Sequence, residues 1–140
     1  MFENPTKPEI EAFLRRIRTV AVLGLSATPG KPSYHVAEEL QKFGYRIVPV
    51  NPAAREILGE KVWPDLESAM KGSGPIDVVD VFRRPEHVGE IVDDAIRLKV
   101  PALWLQEGVI DEVAAQKARD AGIFIVMDRC MFKTRRAMSA

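Results

Sequence analysis

Cysteine and histidine are scarce in this chain: one Cys, at position 130, and two His, at 35 and 87, among 140 residues. A lone cysteine excludes an internal disulfide and fits a reducing compartment. Three such side chains, scattered along the sequence, make no metal-ligand spacing, so no metal site is expected. Net charge is also absent, because 20 basic residues balance 20 acidic ones. Proteins that bind nucleic acid usually carry a basic excess, so no nucleic-acid partner is expected. No apolar run approaches the ~18 residues of a membrane span. Residues 1–11 contain no apolar signal core. The expectation is a cytoplasmic protein with no membrane partner.

What is present is a 46% hydrophobic composition, enough for a real core. The chain reads as a single domain over residues 1–140, with a core at 8–131 and a C-terminal tail at 132–140. Apolar runs rich in Val, Ile and Leu alternate with amphipathic stretches. The strand-like runs are Thr19–Gly24, Tyr45–Val50, Ile76–Phe82, Ala102–Leu105 and Ile123–Met127, with a brief edge strand at Lys61–Trp63. Helical patterns cover Pro8–Ile17, Ser33–Phe43, Pro64–Met70, Pro85–Leu98 and Asp111–Ala121. This alternation predicts an α/β, Rossmann-like, doubly wound fold: a mostly parallel sheet of five to six strands flanked by helices. Pro49 sits awkwardly in the second strand, because proline removes a ladder donor. It reads as lying at the strand's carboxyl end, where pairing fades.

The first strand stops at Gly24, and the loop Leu25-Ser26-Ala27-Thr28-Pro29-Gly30-Lys31-Pro32 leads into a helix at Ser33. Glycine allows a ligand close to the backbone, and the helix start offers N–H groups to an anion. Nucleotide pyrophosphates dock at such first turns. A nicotinamide dinucleotide fits poorly here. The Gly-x-Gly-x-x-Gly fingerprint is absent, since Ser26 stands where the second glycine belongs. No acidic residue follows the second strand to hold a ribose diol; the chain reads Val50-Asn51-Pro52-Ala53 instead. Cations stand near strand ends, Lys31 in the first loop and Arg83-Arg84 after the third core strand, which suits a ligand richer in phosphate. His35 and His87 lie near helix starts with no acid or nucleophile at a productive spacing, so no catalytic residue is assigned. Ser33 also suits a helix N-cap, Trp104 a core position, and Cys130 a small buried residue.

Five segments carry a family resemblance: Gly24-Leu25-Ser26 with Lys31-Pro32-Ser33, Val50-Asn51-Pro52, Asp80-Val81-Phe82-Arg83-Arg84-Pro85, Leu103-Trp104-Leu105-Gln106-Glu107-Gly108 and Asp128-Arg129-Cys130. Together they resemble the stand-alone CoA-binding domain proteins, which are similar to the CoA-binding domain of succinyl-CoA synthetase. The resemblance implies that coenzyme A is the cofactor. It implies Gly24, Leu25, Ser26 and Ser33 at the pyrophosphate, with Lys31 as a nearby cation. Val50, Asn51 and Pro52 would line the adenine-ribose side, and Phe82, Arg83 and Pro85 the opposite wall. Gln106, Glu107 and Gly108 would meet the pantetheine arm. The tail departs from the pattern: Met131 to Arg136 lacks the Glu-His pair that relatives carry there.

The reading is thus a CoA- or acyl-CoA-binding module, sensor or accessory subunit, with a protein partner or a second copy as further company. Two alternatives differ in chemistry. One is a CoA-linked thiol or redox protein using Cys130, and the other an NAD(P)-binding oxidoreductase. A segment for activating an acid with ATP is not found in these residues.

Overall fold

The sequence of β1 (Thr19–Leu23), Thr-Val-Ala-Val-Leu, is buried at every position but the last. A strand apolar on both faces belongs in the middle of a sheet covered on both sides. The computed structural model, which describes residues 2–138, places it there. The other strands of this sheet are β2 (Arg46–Val50), β5 (Val78–Val81), β6 (Ala102–Leu105) and β7 (Phe124–Val126), all parallel, in the order β2-β1-β5-β6-β7. The doubly wound fold read from the sequence is therefore observed, with five strands.

Among the described residues, six helices cover the faces. α1 (Lys7–Arg16), α2 (Pro32–Lys42) and α6 (Met131–Arg136) bury Leu14, Leu40 and Met131 against Val20, Val22 and Trp104 on one face. α3 (Leu66–Gly72), α4 (Val88–Arg97) and α5 (Glu112–Asp120) bury Leu66, Val92 and Ala115 against Val79, Val81 and Leu103 on the other. Local chemistry starts several of them. Thr6 and Glu9 form a capping box at α1, and Asp65 and Asp111 accept from Ser68 N and Ala114 N at α3 and α5.

Leu23 is level with both Val50 and Val81. The loops that begin at Gly24, Asn51 and Phe82 therefore leave the sheet side by side. The winding reverses between β1 and β5, and in such sheets the crevice beyond that switch point is the ligand site.

Four details differ from the sequence expectation. Pro49 pairs in full register with Val22, but β2 is an edge strand of the sheet. The Pro49 carbonyl accepts from Trp63 N on the outer side, so its missing N–H would also have faced outward and costs no ladder bond to β1. The expected edge strand at Lys61–Trp63 is a small hairpin, β3 (Glu56–Ile57) with β4 (Glu60–Lys61), plus a bridge between Val50 and Trp63. The helix expected from Pro85 opens with a 3-10 turn, Pro85–His87, before α4. The tail is not featureless, because Met131–Arg136 forms α6 against α2, with Phe132 meeting His35 edge-on at 5.6 Å and Phe43 at 6.2 Å.

Candidate functional site

The β1–α2 loop is organised by its own side chains. Ser33 Oγ accepts from Ser26 N at 2.9 Å, and Ser26 Oγ accepts from Thr28 N at 3.0 Å. Ser33 is thus engaged with the turn, and the cap position of α2 falls to Lys31, whose side chain makes no capping bond. Pro32 at the first helical position has no N–H to satisfy. The first turn of α2 contains no acidic residue. What remains is an eleven-residue helix whose amino end has no side-chain cap, beside an exposed lysine: a site that favours an anion.

Gly24 lies at the switch point with φ +86°. Its N donates to Val50 O at 3.2 Å, which ties β1 to β2. A Cβ on Gly24 would stand 2.3 Å from the Phe82 carbonyl oxygen and 3.0 Å from Arg83 Cδ. The turn is therefore glycine because the end of β5 packs directly on it.

Two clefts meet at Gly24. The larger, of about 670 Å³, brings together Gly24, Ser26, Lys31, Ser33, Phe82, Gln106 and Glu107 from the sequence-derived set. It adds His35 and Val36 from α2, Val109, Cys130, and Phe132, Lys133 and Arg136 from α6. The smaller, of about 240 Å³, holds Val50, Pro52 and Arg83, with Asp65, Glu90 and Asp94 beside them. A phosphate in the smaller cleft would depend on Arg83 against those carboxylates.

The remaining sequence candidates lie elsewhere. Leu25 is fully buried, and its carbonyl accepts from Asn51 Nδ2 at 2.8 Å. Asn51 Oδ1 accepts from Ala53 N at 2.7 Å, so both ends of this amide hold loops together. Pro85 is exposed and lines neither cleft. Gly108 N donates to Asp128 Oδ1 at 2.8 Å, fixing the loop behind Glu107. Lys133 pairs with Glu107 at 3.1 Å and joins α6 to that same loop.

One acidic side chain is buried inside the sheet. Asp80 is in register between Val22 and Trp104 on the α1–α2–α6 face, is 0% exposed, and neither carboxyl oxygen has a hydrogen-bond partner. Burial pushes its carboxyl well above the usual range, so it is held as the neutral acid. Among the described residues no cluster of His, Cys, Asp and Glu could hold a metal, and no helix is long and apolar enough to cross a membrane.

The amino end of α2 thus lies at the switch point of a doubly wound sheet and opens on the larger cleft, the place where such sheets hold their ligands. The chain belongs to the CoA binding domain family, whose sequence profile matches residues 18–135. It is 38% identical over 129 residues to the uncharacterized protein YneT of Bacillus subtilis (strain 168), covering 92% of this chain and 93% of that protein. The structure of cell-free ID.343 from Thermus thermophilus shares 31% identity with a TM-score of 0.86, covering 94% of this chain and 98% of that one. A 51-residue stretch is 41% identical to part of the ADP-forming acetate–CoA ligase II of Archaeoglobus fulgidus, 35% of this chain and 8% of the ligase.

Proposed function

We propose that this chain binds coenzyme A, or an acyl-CoA, across the two clefts, as a non-catalytic module, sensor or accessory subunit in the cytoplasm. The observation that carries the reading is the amino end of α2, without a side-chain cap or an acidic residue in its first turn, with Lys31 beside it. The pyrophosphate would take the Gly24–Ser26 turn. The adenosine and its 3′-phosphate would lie toward Val50, Pro52 and Arg83, and the pantetheine arm along Phe82 toward Gln106 and Glu107. Membership of the CoA binding domain family supports this choice among phosphate-bearing ligands.

Calorimetry with CoA, dephospho-CoA and NAD tests it. CoA should bind far more tightly than NAD; equal or tighter NAD binding overturns the reading. A well-formed charge-assisted contact to phosphate is worth about 1.5–3 kcal/mol. Lys31→Ala should therefore weaken CoA by on the order of tenfold or more, and by as much for dephospho-CoA, because Lys31 stands by the turn and not by the 3′-phosphate. Arg83→Ala should weaken CoA but lose most of its effect with dephospho-CoA. Affinity should fall with added salt, as expected for exposed cations. If both substitutions leave affinity and its salt dependence unchanged, these are ordinary surface charges.

A further inference from the structure

Cys130 is free, 6% exposed, and lines the larger cleft. Its backbone is held from several sides. Trp104 Nε1 donates to Arg129 O at 2.9 Å, and Thr134 N and Oγ1 donate to Cys130 O at 2.9 and 2.8 Å. Met131 N donates to Gln106 Oε1 at 3.1 Å. That last bond has a consequence for the other end of the same amide. Gln106 is 4% exposed, yet its Nε2 has no partner among the described residues and is not sealed from the cleft it lines. That N–H is open to the cleft and free to meet an acceptor placed there. The amide is held by the backbone N–H of the residue that follows Cys130, and both side chains line the same cleft. The cleft is also lined by the apolar Val36, Phe82, Val109 and Phe132 and by the charged Lys31, Glu107, Lys133 and Arg136.

We propose that Cys130 accepts the acyl group of a CoA thioester, and that Gln106 Nε2 donates to the reacting carbonyl oxygen. The inference rests on the CoA reading above. The step balances without an oxidant or a second reactant. The Cys130 thiol releases its proton to solvent, and the thiolate sulfur attacks the thioester carbonyl carbon. The oxygen gains negative charge and takes the Gln106 N–H. The bond between carbonyl carbon and CoA sulfur then breaks, the CoA thiolate leaves and picks up a proton, and the acyl group stays on Cys130. One thioester replaces another, so the transfer is stoichiometric and reversible. The chain then acts as an acyl carrier and not as a turnover enzyme.

The probe is acetyl-CoA in excess, with intact-protein mass spectrometry on the full chain. One acetyl group should appear, map to Cys130, and be removed by neutral hydroxylamine. Cys130→Ala should remain folded by circular dichroism, bind CoA, and gain nothing. Gln106→Glu keeps an acceptor for Met131 N while losing the donor. Its acylation rate at saturating acetyl-CoA should fall on the order of a hundredfold, and saturation keeps any change in CoA affinity out of that rate. Gln106→Met is the second variant should the carboxylate disturb the fold. Acylation of both variants at the unsubstituted rate overturns the role of Gln106. Binding of CoA by calorimetry with no adduct overturns this inference alone, as does an adduct that persists in Cys130→Ala or one that carries the whole CoA moiety. Absence of CoA binding overturns the reading beneath it as well.

Discussion

Gly24→Ala is expected to weaken the fold and the ligand site together, with a loss of about 2–4 kcal/mol in stability. Two terms add. An L-residue at φ +86° is strained by about 1–2 kcal/mol. The new Cβ would also stand 2.3 Å from the Phe82 carbonyl, a backbone atom at the end of β5 that has no rotamer to escape into. Relief requires β1 and β5 to part at the switch point, which widens the junction between the two clefts. Gly30→Ala separates the terms. Gly30 has φ +93° but nothing within 4 Å of a Cβ, so only the strain applies. Urea denaturation of the two variants, with CoA calorimetry on each, should give the larger loss at Gly24 on both readouts. Equal losses would remove the β5 contact from the argument.

The sequence marks Gly24 as the end of a strand, and the structure adds a packing reason for the glycine. A glycine closing an apolar run marks a strand-to-helix turn, and that was legible. That its freedom serves the neighbouring strand is a contact between residues 24 and 82, which no local pattern carries. The main sheet was legible for a related reason: each of its strands is a short Val- and Leu-rich run bounded by turn residues, and each helix has an apolar face. The β3–β4 hairpin was not, because strands of two residues show no alternation. Its turn holds Leu58 at φ +54°, a conformation that leucine does not advertise.

The same limit explains the missing wall of the site. α6 has six residues, and Cys130 at its cap position makes no side-chain bond. With no Ser, Thr, Asp or Asn to announce it and fewer than two full turns, its helical form comes from packing Met131 and Phe132 against α2 and the sheet. Phe132, Lys133 and Arg136 therefore enter the cleft unannounced. Asn51 shows the limit from another side. A polar residue at a strand end invites a ligand role, and in the fold its Nδ2 donates to Leu25 O while its Oδ1 accepts from Ala53 N. Only the fold could show that this amide also ties two loops together, with one N–H and one lone pair left over.

Asp80→Val is expected to raise stability, and by more as the pH rises. A buried polar group without partners costs about 1–3 kcal/mol, and Val of similar volume removes that cost between Val22 and Trp104. The pH dependence follows from protonation. Below the ordinary Asp value of 3.8, folded and unfolded chains both hold the Asp80 proton. Above it the unfolded chain releases the proton, while burial makes the folded chain keep it. The folded state then binds more protons than the unfolded one, and stability falls with rising pH by ~1.4 kcal/mol per pH unit until the folded carboxyl itself ionises. Glu9 and Glu67 act in the opposite sense. Thr6 lowers the first, and Lys71 and then Arg97 lower the second, so their contributions are lost on acidification. Because those residues are common to both proteins, the difference between Asp80→Val and the unsubstituted chain isolates Asp80. Urea denaturation at pH 5 and pH 8 should show a stabilising difference at both, larger at pH 8. Asp80→Asn, which cannot ionise, should lose the pH-dependent part while retaining the cost of an unpartnered buried amide. A destabilised Asp80→Val, or a difference that does not change with pH, would mean that Asp80 is solvated or paired in solution and that its burial carries no free-energy cost.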